Sequence, residues 1–157
     1  MRKFLLLGLM VFSISCFAEI EHARDLMEKG SFKEAMTELW PAARSGNADA
    51  EELIGVMYAM GLGVPQDDER AFEWYLRSSM KGHPGAQSGV GWYYEVGRGV
   101  EKPDLVRAYM WYNIGAYGGN ELGDKNKQLL ANGMDAAQLV ELQALSNTCL
   151  ASGYTDC

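Results

Sequence analysis

The stretch that decides the fold is AEELIGVMYAMGLGVPQDDERAFEWYLRSSMKGHPGAQ, residues 50–87. Its first part has apolar residues at helical spacing and ends at Gly61, and glycine readily takes the left-handed conformation that ends a helix. Asp67 then supplies an oxygen-bearing side chain where a second apolar-striped segment begins, and Gly82 closes that segment. The stretch predicts a helix, a tight turn and a second helix.

The same pattern recurs further along the chain. In the first helix and the turn the spacing between copies is 36 residues, and Gly46, Ala50, Gly55, Tyr58, Gly61, Gly63 and Val64 match Gly82, Ala86, Gly91, Tyr94, Gly97, Gly99 and Val100. In the second helix the spacing is 37 residues, because residues 101–103 replace residues 65–66 in the turn. This recurrence predicts a stacked array in which neighbouring repeats share a core.

These residues resemble the Sel-one-like repeat (SLR) family, a relative of the tetratricopeptide repeats. The family's small residues, its Gly-x-Gly-Val turn, its aspartate cap and its Trp-Tyr pair all stand in both copies. The resemblance implies an all-α fold, a short right-handed α-solenoid of antiparallel helix pairs with a C-terminal capping helix. It divides the chain into a leading half repeat at 20–46, repeats at 47–82 and 83–119, and a divergent last helix with the capping helix at 120–157.

Local signals place the individual helices. A first helix is predicted over 21–29 and a second from Ser31 to near Gly46, because Ser31 and Glu34 have the spacing of a capping box. A kink or a shortened helix is expected around Trp40, because Pro41 removes a backbone donor. The third is predicted over 49–60, and Asp67 and Asp104 are predicted to cap later helices, as Ser31 caps the second. Beyond Gly119, helices are expected over 121–131 and, capped by Asp135, from 136 to about 145.

Two cysteines lie at the C-terminal end of the chain. Cys149 and Cys157 are separated by a short segment that contains Gly153, and we expect them to form a disulfide, which would stabilise the fold by about 2 to 3 kcal/mol. The alternative, a reactive or metal-binding pair, is disfavoured because the only histidines, His22 and His83, are far from either cysteine in the sequence. Both histidines are expected to be surface residues.

The N-terminus has the pattern of a secretory signal peptide over residues 1–18. Arg2 and Lys3 precede an apolar run, and small residues precede Glu19, where the mature chain is expected to start. The protein is therefore predicted to be exported to the periplasm, with no integral membrane segment in the mature chain. The alternatives are a lipoprotein anchored at Cys16 or a secreted protein.

The charge of the chain restricts its partners. The formal net charge is −7, and loss of Arg2 and Lys3 with the signal peptide would make the chain still more acidic. An acidic surface disfavours nucleic acid and anionic membranes as ligands, because neither gains counterion release from it. A cationic or neutral partner is more compatible.

No motif indicates catalysis or a cofactor. The Gly-x-Gly turns at 61–63 and 97–99 follow helices and lack the other residues of a phosphate-binding loop, so they are interpreted as helix-ending turns. The acidic run at 67–69 is interpreted as a helix first turn rather than a cation site. The chain has no GxSxG, HExxH or paired-cysteine metal motif, so an enzyme, a metal and a cofactor are not predicted.

The resemblance implies that the first helix of each pair lines a concave binding face for a protein or peptide partner. The candidate residues are the positions of that helix outside the packing pattern, by analogy with tetratricopeptide repeats: Glu52, Val56, Met60, Ser88, Trp92 and Glu95. Trp92 is the first of these to test, because tryptophan often dominates binding energy. It could instead pack against the neighbouring repeat or the terminal helices.

Two other functions remain open at this point. Some cysteine-rich SLR proteins are associated with binding or hydrolysis of β-lactams, but their pattern places a cysteine pair in each repeat, and this chain has none there. The other possibility is a purely structural envelope component. A periplasmic adaptor or scaffold is the function that the sequence favours.

Overall fold

The computed structural model of the chain describes residues 17–157. Almost all of the predicted signal peptide therefore lies outside the described residues. Within them the chain is helical from 17 to 28 (α1) and then forms seven further helices. These are α2 Phe32–Arg44, α3 Ala48–Met60, α4 Asp68–Ser79, α5 Pro84–Val96, α6 Leu105–Tyr117, α7 Glu121–Ala131 and α8 Ala136–Ala151.

The helices stack in chain order. From α2 to α7 each helix packs against the next one, α7 also touches α5, and α8 turns back to pack against α6. No strand occurs between residues 17 and 157. The predicted all-α class is therefore confirmed, and the last two helices close the stack because α8 covers α6 rather than continuing the repeat.

Aspartate caps begin the second helices of the two repeats as predicted. The Asp67 carboxylate accepts a hydrogen bond from the backbone N–H of Arg70, and Asp104 accepts one from Arg107, each at 3.0 Å. Ser31 precedes α2, but its side chain makes no capping hydrogen bond, so the predicted capping box at this helix is wrong. Its φ of −80° and ψ of 57° depart from the extended conformation that aims a cap side chain at the helix.

The shortening of α2 expected around Trp40 is also wrong, whereas the predicted end near Gly46 agrees with the structure. The helix continues through Pro41 to Arg44. Proline costs a helix one backbone hydrogen bond, here the one that the carbonyl of Thr37 would accept. Both Pro41 and Thr37 are exposed, so water can satisfy that carbonyl.

The buried core forms two clusters that meet at the aromatic residues of α4 and α5. One cluster joins α1 to α4 and includes Ile20, Leu39, Ile54 and Met57, and Tyr93 of α5 extends it. The other joins α5, α6 and α8 and is built from Val90, Met110, Trp111, Ile114 and Cys149. Phe72 and Tyr75 of α4 pack against both clusters, so α4 links the two halves of the stack.

The disulfide prediction is confirmed. Cys149 near the end of α8 is bonded to Cys157, and the Cys149 side chain is fully buried in the second cluster. Helix α8 runs six residues beyond the expected end near Leu145, so the disulfide joins the last turn of α8 to the chain that follows it. The crosslink thus holds the tail against the helix that covers α6.

Close approach of α5 and α6 depends on a glycine. A Cβ atom added at Gly91 would lie 2.8 Å from Cδ1 of Tyr112 and 3.1 Å from the backbone carbonyl oxygen of Ala108. The Tyr112 side chain is completely buried, so the ring has little room to move away. Gly91 therefore sets the distance between the two helices of the second repeat.

We expect Gly91→Ala to lower the free energy of unfolding by about 1 to 3 kcal/mol, the usual cost of overpacking a core. The loss should appear even though alanine is the better helix former by about 1 kcal/mol. Urea denaturation followed by circular dichroism measures it. The matched control is Gly133→Ala, where the nearest atom to an added Cβ is 3.7 Å away. A Gly91→Ala protein as stable as wild type would show that Tyr112 can move aside.

Candidate functional site

A groove with a volume of about 360 Å3 opens along the first helices of the repeats. Glu52 and Ala59 line it from α3, Gly89 and Trp92 from α5, and Asn126 from α7, and the side chain of Tyr75 reaches it from α4. Residues from four helices therefore meet here, although they lie between Glu52 and Asn126 in the sequence.

The ring of Tyr75 forms the floor of this groove. It lies between two glycines: an added Cβ at Gly55 of α3 would be 3.2 Å from one edge of the ring, and at Gly89 of α5 it would be 2.8 Å from the other. Burial raises the pKa of the Tyr75 hydroxyl, with a further rise from Glu52 and Tyr93. The ring thus fills the gap between α3 and α5, and its hydroxyl is close enough to the carboxylate of Glu52 for the two to interact.

Beside Tyr112 of the second repeat the equivalent space is filled by Glu95 of α5 and Asn126 of α7. There Tyr112 takes the place of Tyr75, and its hydroxyl donates a hydrogen bond to Glu95 at 2.6 Å. Burial, followed by Glu95, raises the pKa of Tyr112, and Asn126 also acts on this hydroxyl and lowers its pKa slightly against the overall rise. In the repeat alignment Ala59 stands where the second repeat has Glu95, and Gly89 stands where the following helix has Asn126. The groove exists because Ala59 of α3 and Gly89 of α5, the two positions beside Tyr75, are small.

Glu52 places a carboxylate in the groove without a direct partner. Among residues 17–157 no basic side chain lies within ion-pair distance of it, and no hydrogen bond to it is formed. Burial is the main cause that raises the pKa of Glu52; His83 and Arg24 offset part of the rise, and Asp49 adds to it. The protein therefore holds a partly buried negative charge that its own side chains do not neutralise.

His83 stands beside this carboxylate and has a structural role that the sequence did not reveal. Its Nδ1 accepts the hydrogen bond from the backbone N–H of Ala86 and so caps α5. Its Nε2 lies 3.2 Å from Asp49, and only 19% of the side chain is exposed. The expectation of a plain surface residue is wrong for His83. It holds for His22, which is 58% exposed and pairs with Glu38 at 2.7 Å.

Trp92 forms a wall of the groove and keeps 38% of its surface exposed. Its ring packs edge-on against Tyr93 with centroids 5.0 Å apart. The guanidinium of Arg98 lies 5.8 Å from the centre of the Trp92 ring and is itself bonded to Asp68 at 2.8 Å. The ring is therefore held in place by its neighbours yet still reaches solvent, as a preformed contact surface does.

The six predicted contact positions have different surroundings. Glu52, Ser88 and Trp92 line the groove, whereas Val56, Met60 and Glu95 do not. Ser88 is only 4% exposed, because α6 and α7 approach it through Gly115 and Gly123, so it is a packing residue rather than an open contact. The Glu95 carboxylate is occupied by Tyr112, and Met60 is 67% exposed at the end of α3.

Sequence reasoning missed Tyr75 as a groove residue, because its recurrence as Tyr112 in the second repeat indicates a packing role. The signal that could have found it is the difference between repeats around the same tyrosine. Small residues at Ala59 and Gly89, set against Glu95 and Asn126, predict an open space beside Tyr75 and a filled one beside Tyr112.

Two hollows of larger volume differ from the groove in their charges. One, of about 600 Å3, lies among α6, α7 and α8, and its Lys127 and Asp124 pair with each other at 2.9 Å. The other, of about 550 Å3, lies beside α1 and α2 and contains the paired His22 and Glu38. The groove, in contrast, combines aromatic walls with the unpaired carboxylate of Glu52, and it is the better candidate for a binding site.

Within the part of the chain that the structure describes, no three or more His, Cys, Asp or Glu side chains are grouped so that they could hold a metal ion. Over the same residues, none of the helices combines the length and the apolar character that a membrane span requires.

Comparison with known proteins identifies the repeat. The model of the Sel1 repeat matches residues 48–83 and 84–120. The chain is 34% identical over 82 residues to the chitin synthase regulator SKT5 of Saccharomyces cerevisiae, a match that covers 51% of this chain and 11% of that protein. The chain therefore spans only a small part of this curated relative.

Two solved structures are similar in fold. A protective antigen of uropathogenic Escherichia coli that displays an SLR fold superimposes with a TM-score of 0.78 at 24% identity, over 88% of this chain and 31% of that one. A Sel1 repeat protein from Oxalobacter formigenes gives a TM-score of 0.67 at 31% identity, over 73% of this chain and 46% of that one. The helical stack described above is thus an SLR fold.

The groove carboxylate makes a prediction about stability. The folded-state pKa of Glu52 is raised above the ordinary value of 4.5, so the folded protein binds this proton more tightly than the unfolded chain does. The resulting stabilisation is complete below pH 4.5 and is lost as the pH rises through the folded-state pKa. At pH 7 the buried charge is a cost. We expect Glu52→Gln to raise the free energy of unfolding at pH 7, and the gain to shrink as the pH falls towards 4.5.

Thermal or urea unfolding at several pH values measures this effect. The matched control is Glu73→Gln, which removes the same charge from an exposed position of α4 and should give no comparable gain. If Glu52→Gln were less stable than wild type at pH 7, the carboxylate would have to be stabilising the fold through a partner of its own.

Proposed function

This chain carries two Sel1 repeats, and from that premise we propose that it is an adaptor or scaffold that binds a protein or peptide partner in the groove of its first helices. Sel1 repeat proteins are generally protein-interaction scaffolds and are typically not enzymes. The proposal goes further, because it assigns the binding to a particular face and to particular residues.

The exposed indole of Trp92 is the observation that carries the proposal. Large aromatic side chains usually provide much of the energy of a protein interface when they lie in a pocket that excludes water. Trp92 stands at the edge of the groove, with Tyr75 as its floor and Glu52 on the opposite helix, and a bound partner would exclude water from it. A partner that covers Trp92 would bury apolar surface and gain about 25 cal/mol for each Å2 removed from water.

The dimensions of the groove favour an extended segment over a rigid globular surface. Its volume of about 360 Å3 is near the lower end of the range of about 300 to 1,000 Å3 for ligand pockets. One or two side chains fill such a space. A peptide or a loop can insert them while its backbone follows α3 and α5, which is the way helical repeats commonly bind extended chains.

The proposal also includes a location. Residues 1–18 have the charge and apolar pattern of a signal peptide, so we place the adaptor in the periplasm. The Cys149–Cys157 disulfide supports this choice, because disulfides persist in oxidising compartments and are rare in the cytosol.

Trp92→Ala should weaken capture of the partner by at least about tenfold, because it removes the main apolar contact of the groove. Crosslinking and affinity capture from envelope extract, with the purified protein as bait, measures the loss. Tyr117→Ala is the matched control, since Tyr117 is an aromatic residue that is 82% exposed on α6 outside the groove. Circular dichroism must show that both variants fold. Undiminished capture by Trp92→Ala would remove the groove as the binding site.

The mature protein should begin near Glu19 and be released from cells with the periplasmic fraction. Intact-mass spectrometry of the protein purified from a cell fraction gives the start of the chain directly. A mass that corresponds to a lipid-modified start at Cys16 would favour the anchored alternative, and a chain that retains residues 1–18 in the cytoplasm would contradict export.

A further inference from the structure

We infer that the groove recognises a basic side chain of its partner, a lysine or an arginine, with the cation at Glu52 and the aliphatic stem lying against Tyr75 and Trp92. The inference rests on the proposed function and adds the chemical class of the partner. It depends on three observations. The carboxylate of Glu52 is unpaired, the space beside Tyr75 is open although the equivalent space beside Tyr112 is filled, and the walls of the groove are aromatic.

The first observation is the charge balance around Glu52. The two cationic groups that act on Glu52, His83 and Arg24, are both engaged elsewhere. Arg24 pairs with Glu21 at 3.8 Å, and His83 lies 3.2 Å from Asp49. Neither of them is within ion-pair distance of Glu52, so the carboxylate keeps its charge available to a ligand.

A contrast with Glu51 shows what the fold does when it neutralises a carboxylate itself. Glu51 is the preceding residue of α3 and is completely buried. Its oxygens lie 3.0 Å from the guanidinium of Arg77 and in contact with the ammonium of Lys81. A buried carboxylate of this fold thus receives two cations from α4 and the turn after it. Glu52 faces the groove and has no cationic partner within the described residues. A basic side chain from a partner would form with Glu52 the kind of ion pair that Arg77 and Lys81 form with Glu51.

The second observation comes from comparing the two repeats. Beside Tyr112 the space is occupied by Glu95, which accepts a hydrogen bond from its hydroxyl, and by Asn126, which acts on the pKa of the same hydroxyl. Beside Tyr75 the corresponding positions are Ala59 and Gly89, and the space is open. The first repeat therefore has the tyrosine and a carboxylate but lacks the side chains that would fill the site. A guest side chain can take that volume without displacing any residue of the chain.

The third observation is the nature of the walls. Lysine and arginine have long apolar stems and pack them along apolar surface while the charged end stays polar. Tyr75 and Trp92 offer that surface, and aromatic rings also attract cations. The chain already uses this contact elsewhere, since the guanidinium of Arg77 lies 4.3 Å from the centre of the Trp74 ring.

The overall charge acts in the same direction. A formal net charge of −7 attracts a basic segment and repels an acidic one at a distance. An acidic side chain in the groove would also meet Glu52 at close range in a partly dry site, where repulsion between like charges is strong. The site thus selects for positive charge at long and at short range.

Selection from a phage-displayed library of random heptapeptides tests the inference with the full mature chain as bait. Four proteins are compared: wild type, Glu52→Gln, Trp92→Ala and Glu73→Gln. The last is the matched control, because it removes one negative charge from an exposed position of α4 that does not line the groove. We expect wild type and Glu73→Gln to enrich peptides with lysine or arginine relative to the starting library.

Glu52→Gln should still enrich peptides but without that preference, and Trp92→Ala should enrich few or none. One wild-type peptide is then synthesised with its basic residue and with glutamine in its place, and both are titrated against wild type and Glu52→Gln. The change in either partner alone should weaken binding by about tenfold or more, and the two together should cost little beyond one of them.

The outcomes separate the inference from the proposed function. Peptides that bind in a Trp92-dependent way without a basic preference would overturn the inference and leave the adaptor function standing. A basic preference that Glu52→Gln retains would place the cation elsewhere and would also overturn the inference. If wild type enriches no peptide at all, peptide binding in the groove fails and the inference fails with it.

Discussion

The packing of the Tyr75 ring between Gly55 and Gly89 is the contact on which the rest of the structure depends. The ring reaches from α4 between two first helices, and both positions that face it are glycine, where an added Cβ would lie 3.2 Å or less from the ring. The ring then joins α3 to α5, and Phe72 one turn earlier packs its edge against Tyr93 and Tyr94. Tyr112 repeats the contact with Gly91 in the second repeat. Stacking therefore follows from a large residue of each second helix and small residues of the first helices around it.

The same tyrosine has different consequences in the two repeats. Where Glu95 and Asn126 surround it, Tyr112 is a closed element of the core, and its hydroxyl is satisfied. Where Ala59 and Gly89 surround it, Tyr75 becomes the floor of a groove. A groove thus arises from two small residues in an otherwise repeated framework, without any change in the order of the helices. The unpaired charge of Glu52 in this groove opposes folding at neutral pH, because burial disfavours the charged form.

The end of the stack is protected by a different device. Helix α8 does not continue the repeat but packs against α6, and its buried Cys149 is bonded to Cys157. An open helical array would otherwise expose the apolar face of its last repeat to water. A short disulfide loop restricts the unfolded chain, so the tail stays on α8 at a smaller entropic cost of folding. The groove is therefore built on a stack whose last repeat is covered.

The sequence by itself determined the helices, the repeat, the aspartate caps at Asp67 and Asp104 and the pairing of Cys149 with Cys157, because each depends on residues that are close in the chain or recur at a fixed period. Ser31 and Pro41 led to wrong predictions. A helix cap requires an extended backbone that Ser31 does not adopt, and the cost of a proline in a helix depends on whether water can reach the carbonyl that loses its hydrogen bond. Only the tertiary structure decided that Glu52 and Trp92 share a groove, that Ser88 is buried and that His83 caps α5. These properties depend on side chains from four helices whose distances are set by packing, and no local pattern contains that information.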